Sequence, residues 1–214
     1  MKKVTLVMAG AVGLMAGTVL GQDILYDNGP TDGSNGYSNA TAGVFGFRRT
    51  LLDDFVLDQD STILDFHWTH IWNTFPPGSG VGLEISFLSD AGGAPGVPLA
   101  TATITGYSEV ATGNTFFGRQ EAASAVTMDG IDLGAGLYWF EATIVGPENN
   151  FWMIQANVNN SECWVNYDDL GGMMPGSSQF GAPADLNFYI TGVPAPGALA
   201  LLGLAGLAGT RRRR

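Results

Sequence analysis

The sequence predicts an all-β protein: an antiparallel β-sandwich of jelly-roll type, flanked by an N-terminal signal peptide and a short C-terminal hydrophobic helix. Three observations predict it. Apolar and polar residues alternate with the two-residue period of half-buried strands through most of the middle of the chain. Clusters of Gly, Pro and Asn separate these runs at short intervals. Glycine reaches 31 of 214 residues, about twice the usual share of about 7%. Roughly eight to ten short strands joined by turns are expected, as in sandwiches and jelly rolls. No stretch between the terminal segments sustains a helical period. The length suits one domain plus signals, assigned as signal peptide 1–21, β-sandwich 22–192 and sorting segment 193–214.

The first element, "MKKVTLVMAGAVGLMAGTVLGQD", has the order of a secretory signal peptide. Lys2 and Lys3 form the charged start and Val4 to about Gly17 the apolar middle. Val19 and Gly21 are the small residues a signal peptidase accepts, so cleavage is expected between Gly21 and Gln22. Export follows, and the single cysteine, Cys163, forms no internal disulfide, leaving the domain to stand on its core.

The strands follow in order. In "TILDFHWTHIW" (62–72), Leu64, Phe66, Trp68, His70 and Trp72 share one face, while Asp65, His67 and Thr69 share the other. In "VGLEISFLSD" (81–90), Val81, Leu83, Ile85 and Phe87 alternate with Glu84 and Ser86. "GLYWFEATIVG" (136–146) sets Tyr138, Phe140, Ala142 and Ile144 against Trp139, Glu141 and Thr143. "FWMIQANV" (151–158) and "DLNFYITG" (185–192) repeat the pattern, and "NTFPPGSG", "DAGGAPGVP" and "VGPENN" supply turns.

The last element is "VPAPGALALLGLAGLAGTRRRR". Its apolar run, Gly197 to Gly209, would span about 20 Å as a helix, short against a bilayer core of about 30 Å. Arg211, Arg212, Arg213 and Arg214 would hold the end on the cytoplasmic side. Val193, Pro194, Ala195 and Pro196 are expected to break regular structure and expose an extended segment. An extended recognition site, a marginal anchor and a basic stop together describe a cleavable sorting signal. The arrangement resembles the PEP-CTERM signal processed by exosortases, whose usual motif is Val-Pro-Glu-Pro; Ala195 stands in the glutamate position. The resemblance implies signal peptidase and an exosortase-like enzyme as partners. It also implies transient inner-membrane association, then delivery to the cell surface or extracellular matrix. More loosely, "LYDNG", "DDFVL", "SDAGGAPG", "LGAGLYWFEA" and "DLNFYITG" resemble the β-sandwich domains found upstream of such signals.

Between the two end segments only Arg48, Arg49 and Arg119 oppose all 20 acidic residues, a formal charge of −17. Such a surface repels nucleic acid and anionic lipid, and nucleic-acid binding is set aside. No nucleophile elbow, P-loop or EF-hand loop is present. His67 and His70 would face the same way only on a helix. A strand sends them to opposite faces, making His70 core-lining and His67 a surface partner of Asp65. Cys163 has no basic neighbour to activate it and reads as a half-buried small residue.

Two constellations are weighed further. Asp53, Asp54, Asp58 and Asp60 around a strand end form a solvated acidic turn, with Ca²⁺ as the alternative cofactor, since Ca²⁺ takes about 6–8 oxygens. Glu84, Trp139 and Glu141 share a polar sheet face, either ordinary surface or a sugar-facing platform. In a glycosidase two such carboxylates would stand about 5–10 Å apart. The resulting expectation is an exported acidic protein with a structural or adhesive role and no enzymatic activity. A carbohydrate-binding module engaging extracellular polysaccharide is second and a glycoside hydrolase third.

Overall fold

The computed structural model describes residues 22–156 and 162–195. The expected signal peptide (1–21), residues 157–161 and everything from Pro196 onward, including Arg211–Arg214, lie outside the described residues. In chain order the strands are β1 (Asp23–Asp27), β2 (Thr31–Asn39), β3 (Arg49–Leu57), β4 (Ser61–Trp72), β5 (Gly82–Asp90), β6 (Pro95–Thr105) and β7 (Ser108–Phe116). They continue as β8 (Arg119–Leu133), β9 (Gly136–Val145), β10 (Asn150–Gln155), β11 (Trp164–Tyr167), β12 (Gly172–Pro175) and β13 (Phe188–Pro194). Two four-residue helices, Ala42–Phe45 and Ser177–Phe180, interrupt them.

Every pairing is antiparallel, and the strands form two sheets. The six-stranded sheet runs β12-β11-β3-β9-β5-β6. In the seven-stranded sheet, β4 pairs with β8 along one edge, and β7 lies outside β8. The other edge of β4 is shared: Ser61–Trp68 pair with β13 and His70–Trp72 with β10. β1 adds to β13, and β2 to β10. The twelve-residue β4 is thus the spine of this sheet, roughly 40 Å long at about 3.3 Å per residue.

Period-two alternation buries one face of each sheet against the other. Phe66 from β4 meets Phe140 from β9 edge-on with centroids 4.9 Å apart, and Phe140 meets Phe188 at 4.7 Å. Trp152 stacks on Phe140 at 5.7 Å. Leu83, Ile85 and Phe87 of β5 complete the six-stranded side of the core. The all-β, antiparallel, sandwich-like architecture follows from this pairing, with thirteen short strands among the described residues where eight to ten are expected.

Three local expectations are corrected. Two steps on β4, Ile63 to Asp65, oppose four on β8, Ile131 to Thr127, so β8 bulges at this point. The shift turns Ile63 into the core and leaves Leu64 half-buried, off the face expected from simple alternation. Val81 lies before β5 and is exposed. At the C-terminal end, Val193 and Pro194 pair with Thr62 and Ser61, and the Ala195 N–H donates to the Asp60 carbonyl at 2.7 Å. Val193 and Pro194, the first two residues of the expected sorting motif, end β13 and complete a sheet instead of breaking away from it, and Ala195 follows just beyond the strand.

Candidate functional site

The face carrying Glu84, Trp139 and Glu141 is the outer face of the six-stranded sheet. The register sets Glu84 beside Thr143, Ser86 beside Glu141 and Leu88 beside Trp139. Trp139 is 0% exposed. It packs with Leu52, Leu88 and Trp164 in a small apolar cluster separate from the main core. Its indole N–H donates to Asp90 Oδ1 at 3.0 Å, the first of the contacts that hold the Asp90 carboxyl below its ordinary range. Glu84 is ion-paired to Arg48, whose Nε donates to Thr50 at 2.9 Å. Trp139 therefore offers no ring to a sugar: it is neither the ordinary exposed surface expected here nor the sugar-facing platform weighed as its alternative.

The acidic run does not converge. Asp53 points into the sandwich and Asp54 to the opposite side of β3, both buried, while Asp58 and Asp60 stand exposed at the turn. Asp60 Oδ1 caps the turn by accepting the Ala135 N–H at 2.9 Å. Among the described residues no group of three or more His, Cys, Asp or Glu side chains gathers as a metal site. The calcium alternative at Asp53, Asp54, Asp58 and Asp60 fails on this geometry, because neighbouring strand residues point to opposite faces.

Asp53 instead belongs to an interior polar group. Its Oδ2 accepts the Leu186 N–H at 2.6 Å and Asn28 Nδ2 at 3.3 Å, and its Oδ1 accepts the Asp54 N–H at 3.0 Å. Complete burial, then the nearby charge of Asp185, pushes its carboxyl well above the ordinary value. Cys163 is fully buried beside it. Burial and the Asp53 charge drive its thiol well upward, so it is a packed, unreactive small side chain.

The histidines separate across β4 as strand geometry requires. His67 stacks flat on Tyr189 at 4.0 Å, and burial lowers its pKa against the opposing pull of Asp65. His70 is wholly buried. It accepts the Trp68 indole N–H at Nδ1 (3.0 Å), which places its proton on Nε2, 3.5 Å from Glu109 Oε1. Glu109 accepts from Trp72 Nε1 at 2.5 Å and from the Gly80 N–H at 2.9 Å. A Cβ at Gly80 would collide with the Tyr107 hydroxyl 1.7 Å away, so only glycine brings this N–H so close. Burial alone would raise the Glu109 pKa, yet the donors, His70 first, hold it below the ordinary value.

The open site lies where the sequence gives little warning, in "NTFFGRQ" (114–120). Phe116 pairs with Arg119, leaving Phe117 and Gly118 as a two-residue hairpin loop. Both have positive φ, 52° and 74°, the signature of a type I′ turn. The first position of that turn ordinarily takes Asn, Asp or Gly. Phenylalanine there costs about 1–2 kcal/mol of backbone strain, and its ring is 69% exposed. Phe117 overhangs a cleft of about 260 Å³ lined by Asn35, Gly36, Ile71, Arg119 and Phe151. A second hollow of about 520 Å³ shares Phe117 and Arg119 and continues past Phe75, Asn73 and Gln120. The Arg119 guanidinium is fixed by Asn73, through its carbonyl and its side-chain oxygen at 2.7 Å. The floor is apolar and the rim carries two exposed aromatics and several amides, a composition suited to ligands with both apolar and hydroxylated faces. The legible signal was an aromatic immediately before the glycine of a turn.

The fold and site thus define an antiparallel two-sheet protein with an aromatic-rimmed surface cleft. No protein-family model matches the chain, and no curated protein matches it.

Proposed function

We propose that this chain is an exported acidic β-sandwich of jelly-roll type, sorted through its C-terminal segment to the cell surface or extracellular matrix, where it has a structural and adhesive role. The observation that carries the reading is the polarity of β4. At its first residues lie both ends of the domain: Ala195 bonds to Asp60, and Asp23 pairs with Gly192, itself beside Ile63. Beyond its last residues lie Phe75 and the Phe117 hairpin, since Glu121 pairs with Ile71. Signal peptidase and an exosortase-like enzyme would act at the first pole, during transient inner-membrane association. The aromatic cleft then faces away from the attachment point, roughly 40 Å off.

The cleft also favours a second reading, a carbohydrate-binding module. Exposed rings can stack on sugar faces while Asn35, Asn73 and Gln120 meet hydroxyls. With a formal charge of −17 over the domain, neutral polysaccharide is the polymer class that approaches without repulsion. A hydrolase would need a carboxylate pair across a bound sugar, and Glu84, held by Arg48, lies on the other sheet.

Two measurements test these readings separately. Replacing Arg211–Arg214 with serine should release uncut precursor from the inner membrane to the periplasm. Unchanged retention at the inner membrane would argue for a permanent anchor. Mature exported protein should be retarded in gels containing neutral polysaccharide, and Phe117→Ala and Phe75→Ala should each lower affinity up to about tenfold. No retardation of the wild type by any neutral polymer would remove the carbohydrate reading and leave the sorting reading standing.

A further inference from the structure

β6 is the outermost strand of the six-stranded sheet, and among the described residues it pairs only with β5. An open edge is a template for another strand, and proteins ordinarily blunt it with short strands, charges, prolines or bulges. The other edges use these devices. β1 has five residues and β12 four. β2 contains Asp32 and two glycines, and β7 is interrupted by an irregularity between Ala111 and Thr115. β6 has Pro95 and Pro98 in its first half, and its register against β5 shifts between Pro95 and Pro98 and again at Leu99, so these devices end where Ala100 begins.

The second half, Leu99 to Thr105, reads "LATATIT". It contains no proline, glycine or charge, the signature of a segment prone to strand pairing. The neutrality extends from Ala91 to Ser108, although the chain carries 20 acidic residues. Val97 and Leu99 are 67% and 51% exposed. Ala100, Ala102 and Ile104 face inward opposite Phe87, Ile85 and Leu83, while Thr101 and Thr103 face out. Nor is the edge paired on its outer side among the described residues, although β8 approaches it to within 8 Å between Cα atoms. β7 leaves β8 after Ala125, and a groove of about 530 Å³ separates Ala100–Thr105 from Thr127–Ile131.

We propose that β6 is a self-association edge: it pairs antiparallel with β6 of a second copy of this chain, joining two six-stranded sheets into one continuous sheet. Charge selects this strip as the place where a second copy can dock. Two molecules of the same strong negative charge repel in most orientations, and the uncharged strip is where they approach at least cost. The sequence is also self-complementary. A two-fold axis at Ala102 sets Thr101 opposite Thr103 of the partner, a favourable cross-strand pair, and Ala100 opposite Ile104. Such pairing would give a matrix protein an assembly surface distinct from the Phe117 cleft.

Sedimentation velocity of the mature protein at about 1–100 μM should show a concentration-dependent dimer. The dimer should strengthen as salt rises and screens the charge repulsion. Thr101→Glu/Thr103→Glu places acids opposite acids across the axis and should weaken dimerisation at least tenfold. Ser108→Glu/Val110→Glu adds the same charge to β7 and should leave it intact. Hydrogen exchange on the wild type supplies an independent readout, with amides between Leu99 and Thr105 gaining protection as concentration rises. A monomer throughout the range at high salt would overturn the proposal. So would a dimer unaffected by the β6 variant, or one without added protection in β6.

Discussion

Trp139 and Phe117 are both large aromatics directed away from the main core, and their environments are opposite. Trp139 sits mid-strand on the outer face of the six-stranded sheet and is wholly covered by Leu52, Leu88 and Trp164. Phe117 sits at a hairpin tip, 69% exposed, in a backbone conformation that disfavours it. An outward-pointing residue in a regular strand has same-face neighbours on both flanking strands and can be buried by them. A turn residue has none. A large aromatic kept exposed and strained at a turn is therefore the stronger pointer to binding.

The largest expected effect follows from that contrast. Trp139→Ala should destabilise the domain by about 3–5 kcal/mol, the range for deleting a buried aromatic. It should leave polysaccharide retardation unchanged at temperatures where the variant is folded. Phe117→Ala should change stability by no more than about 0.5 kcal/mol, as surface substitutions do, while reducing retardation. Urea denaturation beside affinity electrophoresis reads both quantities. A Trp139 variant that stays stable but loses binding would reverse the assignment.

How far the sequence could carry this contrast is visible in the same strands. Alternation located the inward faces of β4, β5 and β9 because burial of one face dictates the period. It also separated His67 from His70. It could not report that the outward face at Trp139 is covered, since that cover comes from Leu52, Leu88 and Trp164 on three different strands. It missed the β8 bulge that rotates Leu64, because a bulge is a property of pairing and not of one strand. The hairpin at Phe117–Gly118 was not picked out as a turn, and nothing local marks it as the lip of a cleft, whose floor comes from β2, β4 and β10. Val193 and Pro194 suggested a break, yet a proline at a strand end is tolerated where its missing N–H is not needed.

The next effect concerns two buried carboxylates with opposite titration. Glu109 is held by several donors against its burial, and its pKa is lowered; Asp53 is wholly buried and faces Asp185, and its pKa is raised. A lowered folded pKa means the Glu109 contribution is present above its unfolded value of about 4.5 and is lost as pH falls through the lower folded one. A raised folded pKa reverses the sign for Asp53. Its protonated form favours folding, so stability falls as pH rises through the folded value, at most by about 1.4 kcal/mol per pH unit. Asp53→Asn cannot ionise but faces the Asp54 N–H with an amide donor, costing about 1 kcal/mol at low pH. Its deficit should shrink as pH rises above the ordinary carboxylate value of 3.8. Urea midpoints from pH 4 to 8 would show converging curves for wild type and variant, and parallel curves would refute the buried-charge account.

A smaller effect isolates the strain at the tip. Phe117→Gly relieves the left-handed penalty but adds unfolded-state entropy, for a net gain of about 0.5–1 kcal/mol. Thermal melting should therefore show a slightly more stable protein that has lost cleft affinity. Stability gained with affinity retained would mean that the ring plays no part in binding.

The smallest effect tests the polar half of the face that buries Trp139. Arg48 and Glu84 form an ion pair with side chains 39% and 34% exposed. Solvent screens a pair this accessible, and such pairs contribute about 0–1 kcal/mol. Glu84→Gln keeps the shape and a hydrogen-bond acceptor for Arg48, so its cost should sit at the low end of that range and fade in about 0.5 M salt as the Debye length contracts. Polysaccharide retardation should not change, because Glu84 lies on the opposite sheet from the Phe117 cleft. A large loss of affinity in this conservative variant, with stability intact, would move the sugar contact back to the Trp139 face and make Phe117 an exposed turn residue without a ligand.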